Sequence, residues 1–202
     1  MPSWLIKFHC ITTFFFIANY SIHILYSKIF SNCKNILPRY DIKGLDDRAD
    51  EDCKGIEASR KLVLDLIDKE KSECGIKDEN IILGGFSQGG AMSLYTGLQY
   101  NQPNPLGGVL CLSGYLPNSS GWKLSSSGSI TPLMMLHGDS DQVVRLNWAR
   151  KSYEKIQAAK ITTQQQTQCQ NLFKTYAGLD HGASQEEIED LISFLKPLVN
   201  KL

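Results

Sequence analysis

The chain has 202 residues, with 21 Lys and Arg against 21 Asp and Glu, and 42% of its residues are hydrophobic. That length suits one domain. The zero net charge excludes bulk electrostatic attachment to nucleic acid, and the apolar content excludes a disordered chain. Six Cys with no Cys-x-x-Cys spacing make neither a disulfide scaffold nor a zinc site, and read as reduced thiols in a cytosolic setting.

The chain opens with an atypical apolar and basic segment, residues 1–39. Residues 1–40 hold Lys7, Lys28, Lys34 and Arg39, no Asp or Glu, and nine of the 19 aromatics, so the composition changes near Tyr40. The uncharged run 8–27 has the roughly 20 residues that can span a bilayer, but Thr12, Thr13, Asn19, Ser21 and His23 interrupt it. No small-x-small cleavage pattern follows it. Were it to insert, the basic residues behind it would keep the following domain in the cytosol. The favoured expectation is that residues 5–39 are neither a membrane anchor nor an ordered part of a sheet.

From residue 46 onward, strands and helices alternate. Residues 47–74 carry acids near the start, a stripe of Ile56, Val63 and Ile67 with Leu62 and Leu66 beside it, and Gly75 past the end, which predicts a helix. Ile81-Ile82-Leu83 within 80–86 predicts a buried strand running into glycines. A helix is predicted for 89–100, a buried strand for 107–113, and a Ser- and Gly-rich loop for 118–129. A third strand (131–137), a helix (148–160), a polar Gln-rich connection (161–171) and a fourth strand (172–176) follow. Ser184 and Glu187 form a capping box ahead of a helix with Ile188, Leu191, Ile192 and Leu195 on one face. Apolar strands alternating with helices define an α/β protein with a parallel sheet.

Gly85-Phe86-Ser87-Gln88-Gly89 joins a predicted strand to a predicted helix. A serine at the tip of such a turn is strained, and side chains two residues before and after it would collide, so both positions take glycine. The turn lifts the Ser87 hydroxyl above the sheet and aims the backbone N–H of Gln88 at the oxyanion formed on attack. The other glycine-loop patterns fail here. A dinucleotide fingerprint would need glycine where Phe86 or Ser87 stands, and a P-loop would need lysine where Ala91 stands.

A serine nucleophile needs a base, and the base needs an orienting acid. His9 and His23 precede Ser87 in the atypical segment. His137 ends a strand and opens His137-Gly138-Asp139-Ser140-Asp141. Only His181 follows the fourth strand and leaves room for an acid between itself and Ser87 in the order Ser, acid, His. Asp139 and Asp141 both follow the third strand, and spacing does not separate them. Asp180 is adjacent to His181 in sequence, which points it elsewhere.

The run from Ile81 through Ser87 to Thr96 resembles the nucleophile segment of the acyl-protein thioesterases, which are lysophospholipase-like and carboxylesterase-like enzymes of the α/β-hydrolase fold. The resemblance extends to Leu112-Ser113-Gly114-Tyr115-Leu116-Pro117, to His137-Gly138-Asp139-Ser140-Asp141, to Phe173-Lys174-Thr175-Tyr176 and to His181, and covers about 40–202. It implies a doubly wound, mostly parallel sheet, with Asp141 as the acid because Val144 follows it in a His-Gly-x-x-Asp-x-x-Val pattern. It implies hydrolysis of long-chain acyl thioesters on protein cysteines and of carboxyl and lysophospholipid esters. No cofactor or metal is implied, and membrane contact is transient in a cytoplasmic enzyme. Tyr115, Leu116 and Pro117 could line an acyl channel or could be ordinary core.

The family pattern also has N-terminal strands and a His-Gly-x-Gly-Asp loop that supplies a second oxyanion donor, and neither is seen before Ser87. Met1-Pro2-Ser3-Trp4 and Tyr40-Asp41-Ile42 match two parts that are contiguous in the family. The expectation is therefore a partial hydrolase domain at 40–202, lacking N-terminal strands, behind a translated intron. An inactive or weakly active hydrolase-like protein and a membrane-anchored hydrolase are the alternatives.

Overall fold

The computed structural model of the chain describes residues 53–162 and 170–199, together with the strands β1 (Thr12–Ala18) and β2 (Ser21–His23). The remaining elements are α1 (Ile56–Cys74), β3 (Ile82–Ser87), α2 (Gln88–Gly97), β4 (Gly108–Leu112), α3 (Ser126–Ile130), β5 (Leu133–Gly138), α4 (Leu146–Thr162), β6 (Asn171–Tyr176) and α5 (Gln185–Val199). The predicted connection 161–171 lies largely outside the described residues.

Among the described residues the sheet runs β2-β1-β3-β4-β5-β6, with β3 to β6 parallel. Side chains alternate between its two faces, as the strand period of two requires. Val109, Cys111, Leu133 and Met135 face one way and pack with Met92 and Leu94 of α2 and Ala149 and Ile156 of α4. Ile82, Leu110, Leu112, Met134 and Leu136 face the other way, against Leu191 and Phe194 of α5. Each central strand is therefore buried on both sides, which is why these segments lack polar alternation in sequence. Helices on both faces of a parallel sheet make the doubly wound architecture.

Helix α1 packs Val63 and Ile67 against Ile81 and Leu83, and ends as its sequence requires. Gly75 adopts a left-handed φ of 66°, and its N–H donates to the Lys71 carbonyl at 3.1 Å. A side chain there would be strained, so glycine closes the helix. Leu62, placed beside the apolar stripe by the sequence, is instead 38% exposed.

Three expectations are corrected. The first concerns the atypical segment, which was expected to stay out of the sheet. β1 pairs antiparallel with β3 over six positions, from Thr12 opposite Ser87 to Ile17 opposite Ile82, and β2 pairs with β1. Thr12-Thr13-Phe14-Phe15-Phe16-Ile17 is β-branched and aromatic throughout, and such a run suits the edge of β3 that would otherwise be left unpaired.

The second lies in the Ser- and Gly-rich loop at 118–129, whose end folds as α3. Ser125 caps it, accepting the Gly128 N–H at 2.9 Å, while the Ser125 hydroxyl donates to the Tyr100 carbonyl at 2.6 Å. This short helix is held by tertiary contacts, which composition does not register.

The third is the buried face of α5. The sequence puts Ile188, Leu191, Ile192 and Leu195 inside; the structure buries Glu187, Leu191 and Phe194 and leaves Ile188 and Ile192 partly exposed. The stripe is turned by about one residue. Half of the capping box forms, with the Glu187 N–H donating to Ser184 Oγ at 3.1 Å. The Glu187 carboxylate does not reach back. Both its oxygens are buried without a hydrogen-bond partner, and burial pushes its carboxyl up to about 7.

Candidate active site

The strand–turn–helix at Ser87 forms as its glycines predict. Ser87 ends β3 with φ 54° and ψ −120°, a conformation that residues with a side chain rarely adopt. It is held because β3 and the part of α2 from Gly89 to Gly97 are buried, so the surroundings fix the strained residue. A Cβ built on Gly85 would meet backbone atoms of Gly89 and Gly90. Gln88 is the first residue of α2, so its N–H belongs to the end of the helix where backbone N–H groups point outward.

Three side chains from three strand ends converge. His181 Nε2 lies 3.0 Å from Ser87 Oγ, and His181 Nδ1 lies 2.7 Å from Asp141 Oδ2. Asp141 is ionised and can only accept, so Nδ1 carries the proton and donates; Nε2 is left to accept from the serine hydroxyl. The Phe86 ring lies 4.9 Å from that of His181, tilted by 48°, and walls one side of the imidazole.

The loop after β5 separates the two aspartates. Asp141 Oδ1 accepts the N–H groups of Val143 and Val144, each at 2.8 Å, which leaves Oδ2 for His181. Burial opposes charge on Asp141, but the hydrogen bonds from His181, Val144 and Val143 outweigh it and hold the carboxyl below its usual range. Asp139 is exposed, and its Oδ1 accepts the Gly178 N–H at 2.8 Å and the Ser140 hydroxyl at 3.0 Å. Asp139 thus ties the β5 loop to the β6 loop, while Asp141 faces the histidine.

The loop Tyr115-Leu116-Pro117 follows β4 and comes up beside the Ser87 turn. A Cβ on Gly114 would lie 2.9 Å from the Ser87 carbonyl oxygen. All three side chains of the loop are buried. Tyr115 packs edge-on to Trp148 at 5.8 Å. Leu116 belongs to the core with Met92 and Trp122, and its N–H donates to Ser152 Oγ at 2.9 Å. Leu116 therefore takes part in core packing, one of the two roles open to it from the sequence.

One neighbour was not singled out for this site. His137, 1% exposed, places Nε2 2.7 Å from the Val144 carbonyl and 3.5 Å from Asp141 Oδ2. Its four-residue spacing from Asp141 in the loop motif is the signal that could have found it. Among the described residues no cluster of His, Cys, Asp and Glu could hold a metal ion, and no helix is long and apolar enough to cross a membrane. No disulfide joins Cys53, Cys74 or Cys111.

A serine at a strained strand-to-helix turn on a doubly wound parallel sheet, with a histidine and an aspartate from later strand ends, defines an α/β-hydrolase. The chain belongs to the phospholipase/carboxylesterase family, whose sequence profile matches residues 28–199. It is 39% identical over 162 residues to acyl-protein thioesterase 1 homolog 1 of Dictyostelium discoideum, covering 80% of this chain and 68% of that protein. It is 37% identical to acyl-protein thioesterase 1 of Gibberella zeae, covering 78% of this chain and 66% of that protein. The chain thus spans about two thirds of the length of these relatives. Among solved structures, Arabidopsis thaliana SOBER1 superposes with a TM-score of 0.63 at 30% identity, over 74% of this chain and 67% of that one. Zea mays acyl-protein thioesterase 2 gives 0.62 at 27% identity, over 79% and 71%.

Proposed function

We propose that the chain is a serine hydrolase that cleaves long-chain acyl thioesters on protein cysteines, and also carboxyl and lysophospholipid esters, with Ser87, His181 and Asp141 as its triad. The observation that carries this reading is the continuous path from Ser87 Oγ through both nitrogens of His181 to Asp141 Oδ2, at 3.0 and 2.7 Å. The relatives' names support the thioester substrate.

His181 Nε2 takes the hydroxyl proton as Ser87 Oγ attacks the acyl carbonyl carbon. The carbonyl electron pair moves onto oxygen, and the Gln88 N–H at the start of α2 donates a hydrogen bond to that oxyanion. Asp141 stabilises the imidazolium through the Nδ1–H bond. The tetrahedral intermediate collapses, the carbon–sulfur bond breaks, and His181 returns its proton to the leaving cysteine sulfur. Water, deprotonated by His181, then attacks the acyl carbon, the ester bond to Ser87 Oγ breaks, His181 returns the proton to Oγ, and the fatty acid leaves. No cofactor enters this sequence. The substrates are S-acylated proteins or lysophospholipids, met by transient membrane contact from the cytoplasm.

The test is labelling by a fluorophosphonate together with hydrolysis of acyl thioesters of rising chain length. Ser87→Ala is expected to abolish both. Turnover that survives Ser87→Ala overturns the nucleophile. A preference for acetyl over octanoyl overturns the long-chain substrate.

A further inference from the structure

The carboxylate of Asp141 has two histidines at one oxygen. His181 Nδ1 lies 2.7 Å from Oδ2 and His137 Nε2 lies 3.5 Å from it. A carbonyl oxygen only accepts, so the 2.7 Å contact of His137 Nε2 with Val144 O requires the Nε2–H tautomer, with the N–H donating to Val144. Val144 in turn donates its own N–H to Asp141 Oδ1. His137 stands at the end of β5, paired in register with Thr175 of β6, so its ring is anchored in the sheet while the loop it grips is not.

We infer that His137 is a positioning residue for the triad: as a neutral Nε2–H donor it pins the Val144 carbonyl, closes the turn that carries Asp141, and leaves the charge of Asp141 to His181. The inference rests on the triad proposed above. The titratable groups facing His137 are Asp141 on its own loop and His181 from the loop after β6. Burial favours the neutral ring over the pull of Val144 O and Asp141. Neutrality matters, because a protonated His137 would pair with the carboxylate and weaken its hold on the imidazolium that forms at His181. An apolar side chain would fill the same space and keep the core, but would release Val144. A misplaced carboxylate then stabilises that imidazolium less well.

The test uses the full chain with three variants, with active sites counted by fluorophosphonate. His137→Phe removes the donor. His137→Asn keeps polarity, but its amide stops at the reach of Nδ1. His137→Gln carries an N–H to the reach of Nε2. On a soluble octanoyl thioester, the Phe and Asn variants are expected to lose about 10- to 100-fold in kcat, the scale on which a displaced catalytic group is felt, with KM little changed. The acidic limb of the kcat/KM–pH profile should move to lower pH, and the downfield proton resonance of the His181–Asp141 hydrogen bond should move upfield. His137→Gln should restore most of each. Wild-type kcat, pH limb and resonance in folded His137→Phe, or a Gln variant no better than Asn, overturns the inference. The resonance is read without turnover. Failure of the proposed function would show instead as turnover that persists in Ser87→Ala, whatever the resonance does.

Discussion

Gly85 and Gly89 face each other so closely that a Cβ on Gly85 would lie 2.3 Å from the carbonyl carbon of Gly89 and 2.5 Å from its oxygen. Both atoms are backbone in the first turn of α2, and Gly85 itself sits in a buried strand, so neither side can swing away. Gly85→Ala must open the turn that presents Ser87. Overpacking of this kind costs about 1–3 kcal/mol or more. The variant is expected to melt earlier and to lose fluorophosphonate labelling even in its folded fraction. Wild-type labelling in a folded Gly85→Ala protein would mean that the turn tolerates the methyl.

The two aspartates of the β5 loop should separate in kinetics as they do in space. Asp141→Asn replaces the acceptor of the His181 Nδ1–H with a group that can favour the wrong tautomer, and a loss in kcat of about 10⁴-fold is expected. Asp139→Asn touches Gly178 and Ser140 and should leave kcat within an order of magnitude. The reverse ranking would move the acid to Asp139.

Glu187 makes stability depend on pH in a definite direction. Its folded pKa is raised from 4.5 to about 7, first by burial. Its stabilising contribution is therefore fully present below about 4.5, and is lost as pH rises through about 7. A shift of this size corresponds to a loss on the order of 3 kcal/mol, as an upper bound. Denaturant unfolding across pH 4 to 9, in wild type and Glu187→Gln, reads it out. The stability difference between them should grow in favour of the glutamine variant between about pH 4.5 and 7 and level off above that. A pH-independent difference would show that Glu187 titrates normally in the fold.

Removing residues 12–23 tests the pairing of β1 with β3. The deletion uncovers the edge of the strand that carries Ser87, and an exposed apolar strand edge promotes association. Larger species in size-exclusion chromatography and lower solubility are expected. Equal or better solubility would show that the segment contributes nothing to the sheet, as its composition alone suggests.

Leu116→Ala separates core from channel. Truncating a buried leucine costs about 2–5 kcal/mol. The variant should lose stability in that range while its ranking of acyl chain lengths stays unchanged. An altered ranking with little loss of stability would return Leu116 to the acyl path.

The sequence alone determined what depends on near neighbours along the chain. The Ser87 turn is legible because the collision that demands glycine at position 85 spans only five residues, and the strand that leads into it is apolar without alternation. Gly75 marks the end of α1 by the same local rule. His181 is legible because chain order and its place after the fourth strand leave no other histidine available.

The tertiary structure decided what depends on distant partners. Asp139 and Asp141 have the same chemistry two residues apart; the backbone N–H groups of Val143 and Val144 and the reach of His181 aim one inward, while Gly178 holds the other at the surface. Glu187 enters the core because α5 docks with its stripe turned by about one residue, and no helical period registers that rotation. β1 joins the sheet because β3, whose Ser87 and Ile82 stand opposite Thr12 and Ile17, offers it an edge far along the chain, a pairing to which local composition is blind. His137 sits against Asp141 only once the loop between them has folded back on itself, which joins a strand-end histidine to the acid four residues on.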